Sequence, residues 1–138
     1  MDERQLGLFK GPRQRGKRPP TPKEFAVQCA LADLVSRWIM PGWIFTHLPM
    51  GEKRSKATAG RLKRMGVKPG WPDFIFVGPG KVFFLELKRR SRGVASAEQN
   101  IVAWHLMRCG HGYLLTDNFE DAVGALRDLG IVRAVVSA

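Results

Sequence analysis

The stretch Pro72-Asp73-Phe74-Ile75-Phe76-Val77-Gly78-Pro79-Gly80-Lys81-Val82-Phe83-Phe84-Leu85-Glu86-Leu87-Lys88 decides the fold. Two runs of Val, Ile, Leu and Phe flank Gly78-Pro79-Gly80, which reads as two strands joined by a tight turn. Both runs are apolar on both faces apart from charges near their outer ends. That pattern predicts central strands covered on each side by helices. With Pro79 and Gly80 as the two central turn residues, Val77 faces Val82, Ile75 faces Phe84 and Asp73 faces Glu86. Direct cross-strand neighbours hold their Cβ atoms roughly 4.5–5.5 Å apart. Lys88, two residues beyond Glu86, projects from the same face. A three-residue turn would shift the register by one and break this arrangement.

Charge in a buried strand is costly unless something compensates it. Two opposed carboxylates repel, and a divalent cation such as Mg²⁺ is a natural guest between them, because it takes hard oxygen ligands and keeps several waters. One such water, beside Lys88, would be poised as a nucleophile, with the ammonium orienting it or stabilising charge on a phosphate. The plainer alternative is a structural ion pair of Glu86 or Asp73 with Lys88 at a sheet end.

Outward from the hairpin, the pattern is helix–strand–helix before it and helix–strand–helix after it. Thr21-Pro22-Lys23-Glu24 starts a helix, with Thr21 as N-cap, Pro22 at the first helical position and Glu24 completing a capping box. It runs to about Ile39, before Pro41-Gly42. Trp43 to Leu48 reads as a short strand, and a second helix is expected near Thr58 to Met65, stopped by Gly66. Ser96-Ala97-Glu98-Gln99 is another capping box, opening a helix to about Arg108. Gly112 to Thr116 is a strand, and Asp117-Asn118-Phe119-Glu120 caps a helix ending at Leu129-Gly130. Ile131 to Val136 is β-prone and reads either as a strand or as a loose tail. The expectation is an α/β fold with a central mixed sheet and helices on both faces.

The chain has 138 residues, 44% hydrophobic and 25% charged, which fits one folded domain and excludes wholesale disorder. Residues 1–20, rich in Gly, Pro and Arg, read as a flexible basic arm, and residues 21–138 as one domain. There are 23 Lys and Arg against 12 Asp and Glu, a net charge of +11, which points to a polyanion such as nucleic acid. Eighteen of the 23 bases fall in residues 1–23, 52–68 and 88–92. Cys29 and Cys109 are too few for a disulfide framework. No signal peptide and no membrane span is visible, so a cytoplasmic, soluble protein without a membrane partner is expected. His105, Cys109 and His111 are close enough to raise zinc but lack a fourth ligand. His105 and Cys109 also suit one helix face packed on the sheet. Trp71 can stack on a base or pack in the core; Trp38, Trp43 and Trp104 read as core, and His47 as structural.

Gly70-Trp71-Pro72-Asp73 followed by Glu86-Leu87-Lys88 resembles the core of the PD-(D/E)xK nucleases. More narrowly, the chain is similar to the VRR-NUC branch, the virus-type replication-repair nucleases. Glu24 and Gln28, the run from Lys53 to Val67, and Ser96-x-x-Gln99 fit in order, so that the likeness spans roughly residues 20–130. A departure is Pro49-Met50-Gly51, where the family pattern has Pro-Asn-Gly or similar. The resemblance implies a restriction-endonuclease-like core and a Mg²⁺- or Mn²⁺-dependent phosphodiesterase acting on DNA, with no small-molecule cofactor. It implies that Asp73, Glu86 and the backbone carbonyl of Leu87 hold the metal and that Lys88 positions the water. Glu24 would reach in from the first helix and Gln99 would line the site, although capping alone also accounts for both. Stand-alone members are typically small homodimers acting on branched DNA, four-way (Holliday) junctions in particular, and larger relatives carry the same module at the end of repair enzymes. The resemblance therefore implies for this chain a homodimer, a role in DNA repair and a nucleoid-associated or phage-encoded intracellular protein.

Two function classes follow. In the first, a structure-selective endonuclease, Lys53, Arg54, Lys56, Arg61, Lys63, Arg64, Lys68, Arg89 and Arg90 hold flanking phosphates. In the second, a non-catalytic basic DNA-binding module, Asp73, Glu86 and Lys88 form structural ion pairs. The two agree on DNA and differ on metal.

Overall fold

Pro79 and Gly80 are the two central residues of the turn between β2 (Phe74–Gly78) and β3 (Lys81–Leu87) in the computed structural model, which describes residues 22–49, 54–88 and 95–134. Proline supplies the fixed φ of the first position, and Gly80 takes φ +68, as the second position of a type II turn requires. Gly78 pairs with Lys81, Val77 with Val82, Ile75 with Phe84 and Phe74 with Leu85, the register expected from a two-residue turn.

Around this hairpin stand α1 (Pro22–Trp38), β1 (Ile44–His47), α2 (Lys56–Arg64), α3 (Ala97–Arg108), β4 (Gly112–Thr116) and α4 (Phe119–Asp128). The sheet order is β1-β2-β3-β4. The first three strands are antiparallel, and β4 runs parallel to β3 after the α3 crossover, so the sheet is mixed.

Alternation sorts the strand residues onto two faces. One carries Phe74, Phe76, Phe83 and Leu85, which pack with Leu31 and Val35 of α1, with Ala122, Val123 and Leu126 of α4, and with Ile131 and Val132. Phe76 sits between Phe45 and Phe83, with ring centroids 5.8 and 6.0 Å away. The other face carries Phe84 and Glu86 on β3 and meets α3, whose buried residues are Gln99, Ala103 and Leu106. This second cover is partial: Ile44 on edge strand β1 is 70% exposed, as is much of its partner Val77. The expectation that both hairpin strands are buried on both faces therefore holds for β3 and fails in part for β2, where Ile75 is half-buried and Val77 is 38% exposed next to the open β1 edge.

Several sequence boundaries move. Helix α2 starts at Lys56 rather than Thr58, because the Ser55 hydroxyl accepts the Thr58 N–H and caps it. The Thr21 cap lies outside the described residues. Ile131 and Val132 are no loose tail: Val132 bridges Ile39, and Met40 N–H donates to Ile131 O at 2.9 Å. His105 and Cys109 share a helix face, but it points to solvent, since Gln99, Ala103 and Leu106 occupy the sheet-facing side. Trp104 is half-buried beneath the Arg108 guanidinium rather than in the core. Trp38 and Trp43 do pack against the core cluster. No helix among the described residues is long and apolar enough to cross a membrane.

The asymmetry of the two faces is measurable. Leu126→Ala, in the fully covered layer, is expected to cost about 2–5 kcal/mol in denaturant unfolding. Ile44→Ala, on the open half of the other face, should cost under about 1 kcal/mol in the same measurement.

Candidate active site

The crossover topology brings functional groups to one end of the sheet. Helices α3 and α4 each follow a strand and run back along it, so both begin where β3 and β4 finish. Helix α1 leads through Met40–Trp43 into the start of β1, so its first turn lies at the same end. Three helix N-termini thus share the sheet end that carries Asp73, Glu86 and Lys88, and the positive ends of their helix dipoles point to it.

Asp73 directly precedes β2 and is 2% exposed. Its backbone is tied to the end of β1 through the N–H of Leu48, and its Oδ2 accepts the Leu87 N–H at 3.0 Å. One more step of the hairpin register sets Asp73 opposite Glu86, as expected. Glu86 is 1% exposed; its Oε1 accepts the Gln99 amide at 2.8 Å and lies 3.4 Å from Lys88 Nζ. The backbone N–H of Lys88 donates to Thr116 O at 2.8 Å, fixing that residue to the end of β4.

Gln99 does two jobs with one side chain. Its Oε1 accepts the Ser96 N–H at 3.0 Å while the Ser96 hydroxyl accepts the Gln99 N–H at 3.1 Å, a complete capping box. Its amide nitrogen, turned the other way, holds Glu86. Capping and site placement are therefore the same act. The first turn of α3 reaches this position because residue 70 has no side chain. A Cβ on Gly70, at φ +92, would stand 2.5 Å from the backbone carbonyl of Glu98.

Tyr113 was not singled out in the sequence. It pairs with Phe84 on the parallel β4 and so stands on the Glu86 face. Burial, then the charge of Glu86, then that of Asp73 push its phenol up to about 12. The alternation of β4 was readable; its parallel register against β3 was not. Trp71 packs against Phe84 at 6.1 Å, and His47 against Phe74 at 5.1 Å on the opposite face.

The other expected residues are placed less tightly. Glu24 is half-buried on the first turn of α1, at the carboxylate end. Lys56, Arg61, Lys63 and Arg64 are exposed on α2, which buries no residue and carries no acid in its first turn, and Lys68 is exposed after it. Since α2 lies between the end of β1 and the start of β2, the segment that carries it leaves from and returns to the carboxylate end of the sheet. Arg54 differs from the rest: one amino group donates to Pro49 O at 2.8 Å and closes the loop. Lys53, Arg89 and Arg90 lie outside the described residues, as do Met50 and Gly51.

Asp73 and Glu86 form an oxygen donor set, with the Leu87 carbonyl beside them in sequence. The contacts to Leu87, Gln99 and Lys88 use one oxygen of each carboxylate. Among the described residues there is no group of three or more His, Cys, Asp or Glu that could hold a metal. A cation here would rest on two carboxylates, a backbone carbonyl and water, which suits Mg²⁺ or Mn²⁺ better than zinc. Comparisons with protein-family models, with curated proteins and with solved structures return no match.

Gly70→Ala should press the loop against α3 and lower stability by about 1–3 kcal/mol, read by denaturant unfolding. Tyr113 is the chain's one tyrosine, so phenolate absorbance reports it alone. The absorbance should rise near pH 12 rather than 10. In Glu86→Gln the transition should fall but stay above 10, because burial, the larger cause, remains. The folded state then holds the proton more tightly than the unfolded chain, so this group's contribution makes stability decline as pH rises from 10 to 12.

Proposed function

We propose that the chain is a metal-dependent DNA endonuclease of the PD-(D/E)xK type, in the VRR-NUC branch, built on a restriction-endonuclease-like core and selective for branched DNA. The observation that carries this reading is the pair of buried carboxylates, Asp73 and Glu86, brought together by the hairpin register with Lys88 3.4 Å from Glu86. Buried acids at the centre of a strongly basic chain repel phosphate, and they serve a nucleic-acid site best when a cation joins them.

In this reading Asp73, Glu86 and the Leu87 carbonyl would hold Mg²⁺ or Mn²⁺. The cation, when bound, supplies charge neutralisation at the phosphate and a more acidic water. Gln99 keeps Glu86 oriented, and the Lys88 ammonium positions the attacking water or stabilises the charge growing on phosphorus. Hydrolysis joins the water oxygen to phosphorus and releases one sugar hydroxyl, the water's protons being shared between the products. Glu24 stands at the same sheet end and contributes from α1. The exposed bases of α2 hold flanking phosphates, and the helix N-termini favour the same anions. Resolving a four-way junction takes two coordinated cuts, and a homodimer supplies the second active site.

The Glu86–Lys88 ion pair also favours the second reading, a basic DNA-binding module in which these charges only stabilise the sheet end. Labelled four-way junctions, forks, flaps and plain duplexes incubated with Mg²⁺ or Mn²⁺ separate the two. The nuclease cuts branched DNA in preference to duplex. Asp73→Asn and Glu86→Gln should lower the cutting rate at least ~100-fold while DNA affinity stays within a few fold. Binding without cleavage by the wild-type chain in either metal would leave the ion-pair module standing.

A further inference from the structure

Beside the carboxylates, the strands of the sheet face that meets α3 offer few groups that can give a hydrogen bond to an anion. The Gln99 amide is engaged at both ends, by Ser96 and Glu86. Lys88 stands beside Glu86 as an ion-pair partner. On the edge strand, the Thr46 hydroxyl donates to the His47 carbonyl at 3.3 Å. Tyr113 remains. It is half-buried on β4, on the same face as Glu86, and lies within the fields of both carboxylates.

We infer that Tyr113 is the neutral hydrogen-bond donor that meets a non-bridging oxygen of the phosphate held at this site, a substrate-positioning contact that rests on the nuclease reading. A neutral donor has a particular use beside two acids. A second ammonium there would collapse onto a carboxylate, as Lys88 does. A phenol keeps its proton next to them and gives it to whichever acceptor arrives. Its ring is stiff and set on a strand, so ordering the hydroxyl costs little side-chain entropy.

The test compares wild-type chain with Tyr113→Phe, which removes only the hydroxyl. Affinity for a fluorescent four-way junction is measured in Ca²⁺, alongside thermal unfolding, Mn²⁺ affinity, and KM and kcat in Mg²⁺. The expected result is roughly a tenfold loss of junction affinity, the worth of one hydrogen bond to a charged acceptor. Unfolding midpoint and Mn²⁺ affinity stay as in wild type, and KM rises while kcat holds. Equal junction affinity in the two proteins overturns the inference, and so does a loss accompanied by a lower midpoint or weaker Mn²⁺ binding. A wild-type chain that binds the junction and cuts nothing overturns the nuclease reading alone, because the affinity comparison still decides the role of Tyr113. A wild-type chain that does not bind the junction overturns both.

Discussion

The hydrogen bond from Gln99 to Glu86 is where the chain's two halves are locked together. Glu86 lies buried near the end of the central strand β3, where a carboxylate without partners would cost several kcal/mol. The Gln99 amide and Lys88 offset that cost at one oxygen. Gln99 can do so only because Ser96 holds its other end, and Ser96 is in place only because α3 begins there. The start of α3 is set in turn by Gly70, whose missing side chain lets the Glu98 backbone approach. A chain of small local requirements, each ordinary, thus fixes one acid. The second acid is fixed independently, by the hairpin register and by the N–H of Leu87.

The electrostatics of the molecule follow from its connectivity. Every helix that packs on the sheet starts at the carboxylate end and finishes at the turn end. Positive helix ends and Lys88 stand at the sheet end that holds the two buried negative groups, and the basic α2 lies in the segment that joins β1 to β2 at that end. The net charge of the chain describes attraction towards a polyanion; the arrangement at the sheet end describes what happens to the few opposite charges within it. Tyr113 lies within that local field: burial first, then Glu86 and Asp73, acids some distance from it in sequence, oppose its ionisation.

What could be read from the sequence was whatever is local. The Pro79-Gly80 turn and the alternation on either side gave the antiparallel register, and with it the meeting of Asp73 and Glu86. Ser96 and Gln99 announced their capping box through spacing alone. What escaped depends on contacts made far along the chain. The parallel register of β4 is set by the α3 crossover, so the place of Tyr113 beside Phe84 had no local signal. The same crossover decides which face of α3 meets the sheet, which is why His105 and Cys109 face solvent although their spacing suits a packed face. Ile131 and Val132 are held by Ile39 and Met40 across the whole domain, and their own sequence is equally consistent with a free end.

The turn at Pro79 and Gly80 is the most exposed part of the hairpin and lies at the opposite end of the sheet from the acids. Surface turns of this kind usually absorb insertions and deletions at little cost. Here one added residue would reverse the facing of every side chain on β3 relative to β2, sending Glu86 to the aromatic layer and Leu85 to the site. The length of a remote loop is therefore under the same constraint as the carboxylates themselves. Lineages of this chain are free to vary the chemistry of that turn, within what its backbone allows, but not its count.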